Sequence, residues 1–298
     1  MRIPILLKEH FCPNGIIDSH CHFGKWGPQE YSNRIIDPFS NRGFASLKDI
    51  NHYCDEKKLA MIILVPIYEP NIERTYAHNE GILNCAKASR NLIVPGFWVD
   101  PLLGSRKLLK ETISLAADTG IRVLKMSPSN WHGSYSADPD TWDASFIDGI
   151  DLIANYGRRE RCVIQIHTGG HKSDIRAVEK MIRRLAEGLT FHLVHMGGRI
   201  NSHFYFVPRL AEWLDQGLDV FCDTSLATDF AVCWIVAEAI RNPGILPRIL
   251  FASDTPWGSH ETELMKLMLA TNGEEHILKC ILYDNAFGLY ADKRVPSC

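Results

Sequence analysis

Short runs of hydrophobic residues alternate with amphipathic stretches along the chain. The runs are rich in Val, Ile and Leu and are mostly continuous, a pattern typical of parallel strands that are buried on both faces. The pattern predicts eight strands, at residues 15–22, 59–66, 92–99, 121–127, 162–168, 190–195, 218–224 and 248–254.

The stretches between these runs carry apolar residues at helical spacing. The clearest covers residues 173–187, where we expect Ser173 to cap the helix and Gly188 to follow its end. A second helix is predicted over residues 105–119, and a last one over residues 274–289 follows the eighth strand.

Eight βα units in series predict an α/β fold, a (β/α)8 TIM barrel, as a single domain over residues 1–298 with its core at about 15–290. The competing architecture is a doubly wound open sheet, which normally has fewer units and a glycine-rich phosphate-binding turn. Two connections, residues 23–45 and 128–143, are unusually long. Both follow the carboxyl ends of predicted strands, where barrel enzymes form their active sites, so we expect both to contribute to a pocket.

The composition narrows the functional classes. The chain has 298 residues, 46% of them hydrophobic, and a formal net charge of −3, which provides no basic surface for nucleic acid or an anionic membrane. The longest apolar run, residues 60–65, is too short to span a bilayer, and residues 1–9 lack the features of a signal peptide. Nine cysteines without C-x-x-C spacing indicate free thiols in a reducing compartment. We therefore expect a cytoplasmic protein.

The first predicted strand ends in His20-Cys21-His22. In a strand, residues i and i+2 project to the same face, so the two imidazoles lie side by side and Cys21 points away. Two imidazole nitrogens on a rigid element suit a metal ion, but an exposed pair of strand histidines gives the same pattern. The motif alone leaves both interpretations open.

Three further strands end in a side chain that can bind a metal or transfer a proton. His167 ends strand five, His195 ends strand six and Asp254 ends strand eight, with Gly or Pro soon after each. Because the carboxyl ends of barrel strands meet at one rim, we expect these side chains to converge with His20 and His22. The sequence therefore predicts a metal-dependent active site at this rim.

Strand parity separates two other polar residues. His192 lies three residues before His195, so we expect it on the opposite face, in the layer between sheet and helices, as a hydrogen-bonded core residue. Asp18 shares the parity of His20 and is expected one layer deeper. Its carboxylate either orients a ligand imidazole or is a buried acid held by neighbouring backbone or arginine.

The chain resembles the amidohydrolase superfamily, and more closely the branch that includes aminocarboxymuconate-semialdehyde decarboxylases and small-molecule hydrolases. The resemblance extends over about residues 15–290. It rests on Asp18-Ser19-His20-Cys21-His22, His167, His195-Met196-Gly197-Gly198, Asp223-Thr224-Ser225 and Ser253-Asp254-Thr255-Pro256.

The resemblance implies a site for one divalent metal that activates a water molecule. Zinc is favoured by a nitrogen-rich ligand set, and Mn²⁺, Fe²⁺ and Co²⁺ fit the same ligands. Asp254 would also accept the proton of the water, and His195 would polarise the water or the substrate, which makes these two the expected catalytic residues. The implied metal ligands are His20, His22, His167 and Asp254.

Lys125 ends the fourth predicted strand and has two interpretations. In some branches of the superfamily a lysine at this position is carboxylated and bridges two metals, which requires a neutral amine and a depressed pKa. The branch that this chain resembles is mononuclear, so we favour a charged lysine that anchors a substrate carboxylate. Further expected substrate contacts are the loop residues Arg199, Trp257, His171 and Trp131.

The leading hypothesis is a metal-dependent hydrolase of a small carboxylate-bearing amide, ester or lactone. The alternative is a non-oxidative, metal-dependent decarboxylase of an aromatic or enoic acid, because the same ligands serve both reactions. A barrel that binds a ligand without catalysis is a third hypothesis, against which the five intact site residues argue. The expected partner is a small-molecule substrate, and family members are often dimers, so a homodimer is compatible with the sequence.

Overall fold

Strands alternate with helices in the computed structural model, which describes residues 14–25, 43–89 and 91–295. Most of the first long connection, residues 26–42, lies outside the described residues. The strands are β1 (Ile16–Lys25), β2 (Gly43–Phe44), β3 (Leu59–Pro66), β4 (Ile93–Pro95), β5 (Phe97–Trp98), β6 (Val123–Met126), β7 (Val163–His167), β8 (Thr190–Val194), β9 (Asp219–Asp223) and β10 (Ile249–Leu250). The helices are α1 (Leu47–Lys57), α2 (Ile72–Ala88), α3 (Arg106–Thr119), α4 (Ala144–Glu160), α5 (Ile175–Leu185), α6 (Ile200–Phe206), α7 (Leu210–Asp215), α8 (Asp229–Arg241), α9 (His260–Ala270), α10 (Glu275–Lys279) and α11 (Asn285–Tyr290).

Two hydrogen-bonded sheets contain these strands, in the orders β2-β1-β3-β4 and β10-β9-β8-β7-β6-β5. Every neighbouring pair is parallel except β1 and β2. Only Gly96 separates β4 from β5, and its N–H still donates to the Leu64 carbonyl at 2.8 Å. A Cβ at Gly96 would lie 2.7 Å from Val65 Cγ1, which explains the glycine at this break. The two short strands therefore share the third strand position and join the sheets.

Backbone hydrogen bonds between β1 and the extended segment after β10 close the ring. Ser19 donates its N–H to the Phe251 carbonyl at 3.0 Å, Asp254 donates to the His20 carbonyl at 3.0 Å, and His22 donates to the Thr255 carbonyl at 2.9 Å. With β4 and β5 counted as one and the short antiparallel β2 left out, eight strand positions surround the barrel axis, and each overlaps a predicted strand. The predicted α/β TIM barrel is confirmed, and the open-sheet alternative is wrong. The assignment of residues 1–298 to one domain stays a prediction.

Apolar side chains form two layers, as the continuous hydrophobic strands predict. The barrel interior is filled near its amino-terminal end by a small cluster that Tyr290, from the last helix, completes. A larger cluster lies between the strands and the surrounding helices. Each fully buried aliphatic side chain stabilises the fold by roughly 1.5–3 kcal/mol. The interior cluster includes Ile17, Met61, Ile63, Val94, Val123, Val163 and Leu250.

The helices differ from prediction mainly at their ends. The N-cap of α5 is Asp174, whose Oδ1 accepts the Arg176 N–H at 3.0 Å, so the prediction of Ser173 is wrong. Ser173 instead donates its hydroxyl to the Gly169 carbonyl, because the preceding turn brings that oxygen close. The single helix predicted over residues 274–289 is two helices, α10 and α11, joined by a π-helical turn.

The prediction that Asp18 shares the face of His20 is wrong. The register of β1 against β3 shifts between Asp18 and Cys21, so the alternation of faces is interrupted there. Asp18 Oδ1 accepts the Ser253 N–H at 2.9 Å and Oδ2 accepts the Tyr53 hydroxyl at 3.4 Å, outside the barrel interior. Asp18 is thus the buried acid of the two alternatives, and burial raises its pKa to about 6.

His192 also departs from its predicted position. Its register partner on β7 is Gln165, and both side chains contact the Tyr290 hydroxyl inside the barrel. The parity argument fails because β8 ends at Val194, and His195 then adopts a left-handed conformation with φ 68° that turns it to the same side. His192 is a hydrogen-bonded core residue, as predicted, but it lies inside the barrel rather than between sheet and helices.

Two broader expectations concern the membrane and the thiols. None of the helices in the described ranges is long and apolar enough to cross a membrane. The seven cysteines in these ranges are all free, and five of them are buried.

Candidate metal centre

His20 and His22 project side by side into the carboxyl end of the barrel, with ring centroids 4.6 Å apart. Their Nε2 atoms lie 3.2 and 3.1 Å from the same carboxylate oxygen, Asp254 Oδ1. Asp254 has a left-handed backbone with φ 55°, at the turn that follows the last strand position. Cys21 points away and contacts Ser253 Oγ at 3.3 Å, as the strand alternation predicts.

Hydrogen bonds on the far side of each ring fix where its proton lies. His22 Nδ1 lies 3.1 Å from the Pro66 carbonyl, which can only accept, so this nitrogen carries the proton. His20 Nδ1 lies 3.0 Å from Gln165 Oε1, and the Gln165 amide nitrogen donates to the Ser19 carbonyl at 3.0 Å, which defines the orientation of the amide. In the neutral imidazoles, both Nε2 atoms are therefore unprotonated and carry a lone pair.

The protonation states of His20, His22 and Asp254 depend on their burial and on their neighbours. Burial lowers the pKa of both His20 and His22, so both rings are neutral at neutral pH. Burial acts to raise the pKa of Asp254, but the nearby His195 is the largest influence that holds it well below its usual range. Two lone pairs and an ionised carboxylate face one another with no proton between them. Such a group fits a divalent cation, since deprotonated histidine nitrogen and carboxylate oxygen are its usual ligands.

His167, the last residue of β7, lies on the opposite wall of the same cavity. Among the described residues, the ligand atoms of His20, His22 and Asp254 lie within 4.8 Å of one another, and His167 is outside that group. Its ring centroid is 5.0 Å from that of His195, which in turn is 6.0 Å from that of His20. The structure thus brings four of the five predicted rim residues, His22, His167, His195 and Asp254, to one cavity. The fifth, His20, is fully buried beside it, in contact with Asp254.

A hydrogen-bonded network orients His195 from behind. Asp223 Oδ1 accepts the His195 N–H at 3.1 Å and the Ser225 hydroxyl at 2.5 Å. The Ser225 hydroxyl therefore accepts from His195 Nδ1, at 2.9 Å, which leaves Nε2 as the basic nitrogen. The other Asp223 oxygen lies 2.9 Å from His192 Nε2. Burial acts to raise the pKa of Asp223, but His192 and the nearby histidines hold it well below its usual range, so it stays ionised.

Lys125 extends from β6 into the floor of this site and is 1% exposed. Its Nζ lies 3.5 Å from His20 Nε2. Burial lowers the pKa of Lys125 to about 8, and the carboxylates of Asp254 and Asp223 oppose that shift. Lys125 therefore retains most of its positive charge at pH 7 and can attract an anion.

These residues surround a cavity of about 340 Å³ at the carboxyl end of the barrel. Trp257 forms part of its wall, with its ring edge-on to His22 at a centroid distance of 4.6 Å. Of the predicted substrate contacts, Lys125 and Trp257 line the cavity. The described lining consists of His22, Tyr68, Trp98, Lys125, Ser127, Ser129, Asn130, His167, His195, Leu226, Asp254 and Trp257.

A family model described as Amidohydrolase matches residues 17–291. The chain belongs to the amidohydrolase family. This match confirms the resemblance seen in the sequence motifs and the prediction of an enzyme of this superfamily. No curated protein sequence matched the chain.

Solved structures with the same fold cover nearly the whole amidohydrolase chain. A 2,6-dihydroxybenzoate decarboxylase from Rhizobium is 13% identical with a TM-score of 0.65, over 93% of this chain and 98% of that one. A probable 2-pyrone-4,6-dicarboxylic acid hydrolase from Acinetobacter baumannii is 14% identical with a TM-score of 0.62, over 93% and 99%. An amidohydrolase from Burkholderia multivorans with bound zinc is 16% identical with a TM-score of 0.65, over 94% and 99%. Identities this low establish the fold alone.

Three predicted substrate contacts of the amidohydrolase do not line the cavity. Arg199 is exposed and caps α6, and His171 is exposed in the turn before α5. Trp131 is buried in the outer hydrophobic cluster, where its ring packs against Phe146 at 5.0 Å. A substrate contact by any of the three stays a prediction.

Several residues that shape the site were not singled out in the sequence. Gln165 lies two residues before His167, so strand alternation places both inside the barrel and could have identified it. Asp223 ends β9 at the same rim, and its motif was noticed without a role. Tyr68 and Trp98 carry no such signal, because an aromatic residue near a strand end is as common in a core as in a pocket.

Proposed function

We propose that this amidohydrolase hydrolyses a small carboxylate-bearing ester, lactone or amide, with one divalent metal held by His20, His22 and Asp254. The observation that supports this most directly is the pair of Nε2 lone pairs that face the ionised Asp254 carboxylate. His167 is the proposed fourth ligand, and zinc is the favoured ion because three of the four ligands are nitrogen. When bound, the metal supplies a Lewis acid and lowers the pKa of a bound water to about 7.

The side chains around this centre have separate tasks. Asp254 accepts a proton at its carboxylate, which its low pKa keeps ionised. His195 has its proton on Nδ1, so its basic Nε2 takes up this proton from Asp254 and delivers it to the leaving group. Lys125 attracts the substrate carboxylate by charge. Trp257 limits the access of water to His22, against which its ring packs.

A second candidate function is the decarboxylation of an aromatic or enoic acid. The buried ammonium of Lys125 favours it, because the carboxylate that leaves has to be held beside the metal. The names of two structural neighbours are compatible with either reaction. One is a 2,6-dihydroxybenzoate decarboxylase and the other a probable 2-pyrone-4,6-dicarboxylic acid hydrolase. Both compounds are small carboxylic acids. A homodimer and a cytoplasmic location stay predictions.

Metal analysis of the purified protein tests the metal centre. We expect about one divalent ion per chain in the wild type and almost none in the double variant His20→Ala/His22→Ala, with an unchanged far-UV spectrum. His52→Ala is the matched control, because His52 is an exposed histidine on α1. A double variant that keeps stoichiometric metal contradicts the ligand assignment. About two ions per wild-type chain would favour a carboxylated Lys125.

A panel of substrates distinguishes hydrolysis from decarboxylation. Carboxylate-bearing lactones, esters and amides are assayed for acid release, and aromatic and enoic acids are assayed for carbon dioxide. We expect acid release that depends on His20 and His22. Carbon dioxide release from the acids, without hydrolysis of the first group, would replace the hydrolase by the decarboxylase.

A further inference from the structure

Two buried charged residues on α9 contact the loop that follows β9. Glu263 and Lys266 are 3% and 8% exposed, and Lys266 Nζ lies 2.5 Å from Glu263 Oε2. Lys266 also donates to the Ala227 carbonyl at 2.8 Å. The ion pair therefore holds the carbonyl of one loop residue, Ala227, through Lys266.

This loop carries groups that reach the active site. Ser225 accepts from His195 Nδ1 through its hydroxyl at 2.9 Å, and its carbonyl lies 3.2 Å from the same nitrogen. The next residue, Leu226, has a left-handed backbone with φ 51° and lines the cavity. The position of the loop backbone thus sets the position of both contacts.

A buried ion pair is a poor source of stability, since desolvation of each charge costs several kcal/mol. What it does provide is a defined geometry, because Glu263 holds the Lys266 ammonium where it meets one specific backbone carbonyl, that of Ala227. An apolar pair would fill the same space without selecting one position of the loop.

We propose that Glu263 and Lys266 are positioning residues for His195, which they act on through the backbone of residues 225–227. The hydrogen bond between the Ser225 hydroxyl and His195 Nδ1 is 2.9 Å long. It is lost if this distance grows by about 0.6 Å, to the limit near 3.5 Å. A small displacement of the loop therefore releases the imidazole. Its proton then redistributes between Nδ1 and Nε2, and the ring loses its fixed orientation toward the cavity.

Lys266→Met tests this inference, because methionine keeps the length of the side chain and removes the ammonium. Lys266→Arg is the conservative variant and still donates to the Ala227 carbonyl. Lys107→Met is the matched control, since Lys107 belongs to an exposed ion pair with Glu111 on α3. If Lys266→Met does not fold, the double variant Glu263→Met/Lys266→Met replaces both charges by apolar side chains, which is often neutral for stability.

The first readout is the imidazole ¹⁵N spectrum of histidine-labelled protein at pH 8. Burial raises the pKa of Glu263 to about 7, so at pH 8 the carboxylate is ionised. His195→Gln identifies the signals of His195. We expect these signals to report Nδ1–H in the wild type, in Lys266→Arg and in Lys107→Met, and a mixture of tautomers in Lys266→Met or the double variant. A spectrum of Lys266→Met with Nδ1–H fully retained overturns the proposal.

The second readout is hydrolysis of p-nitrophenyl acetate, and this one rests on the proposed function. We expect kcat to fall roughly 10- to 100-fold in Lys266→Met, as for a misplaced catalytic group, and to recover in Lys266→Arg. A wild type that hydrolyses neither p-nitrophenyl acetate nor the carboxylate-bearing esters, lactones and amides would count against the proposed function, while the imidazole spectrum would still decide the role of the pair. A fall in kcat with an unchanged His195 spectrum would contradict the positioning role.

Discussion

Gln165→Met is expected to weaken metal binding by roughly 10- to 100-fold, because it removes the group that orients His20. Gln165 Oε1 accepts from His20 Nδ1 at 3.0 Å, which directs the lone pair of Nε2 toward Asp254. Methionine has nearly the same length and cannot accept this hydrogen bond well. The factor of 10 to 100 corresponds to about 1.4–2.8 kcal/mol of binding free energy.

The same change also lowers the free energy of unfolding. The Gln165 amide nitrogen contacts the Ser19 carbonyl and the Tyr290 hydroxyl, both at 3.0 Å. Each buried partner left without its hydrogen bond costs roughly 1–3 kcal/mol. Tyr290→Phe separates the two effects, because it removes a contact of the amide nitrogen and leaves the Gln165–His20 hydrogen bond in place. We expect Tyr290→Phe to lose stability but to keep its metal affinity within about twofold.

Competition with a fluorescent zinc chelator at equilibrium measures the affinity of each folded variant, and urea unfolding measures its stability. Gln165→Glu keeps an acceptor for His20 Nδ1, so its zinc affinity should exceed that of Gln165→Met. Equal zinc affinities in the wild type, Gln165→Met and Tyr290→Phe would refute the orienting role of Gln165, whatever the stability of the variants.

Two other predictions concern stability. Burial raises the pKa of Asp100 to about 6 from 3.8, so the folded protein loses stability as pH rises from about 4 to 6. In urea unfolding, Asp100→Asn should be more stable than the wild type by up to about 3 kcal/mol at pH 8 but nearly unchanged at pH 4. An equal effect of the substitution at both pH values would contradict the predicted direction of the pH dependence. Removal of the metal with a chelator should lower Tm and added zinc should restore it, since an ion at 100 times its Kd stabilises the folded protein by about 2.7 kcal/mol. The Tm of His20→Ala/His22→Ala should not respond to either treatment. A response of that variant would contradict the assignment of the metal site.

The barrel and the members of its rim were predictable because they depend on features that repeat along the chain. Parallel strands buried on both faces give continuous apolar runs, and their carboxyl ends converge whatever the loops do. His20 and His22 therefore share a face in the structure as in the sequence. Gln165 could have been found by the same alternation, two residues before His167.

Predictions failed where a single backbone conformation interrupts the repeat. Asp18 faces outward because the register of β1 shifts next to it, and His195 joins the face of His192 because its φ is positive. Neither residue is a glycine, so the amino-acid type alone does not predict the change. Backbone geometry of this kind depends on contacts from distant segments, such as the Asp223 carboxylate that accepts the His195 N–H.

Local backbone geometry also explains why Trp257 lines the cavity and Arg199 does not, although both closely follow a rim residue in sequence. After Asp254 the chain folds back on itself, with the Trp257 N–H donating to the Asp254 carbonyl at 2.9 Å, so the indole remains against His22. After His195 a second left-handed residue, Met196, follows, and the chain leaves the rim to begin α6 with Arg199 in solvent. Distance along the chain from a rim residue therefore predicts a cavity-lining side chain only where local hydrogen bonds return the chain to the cavity.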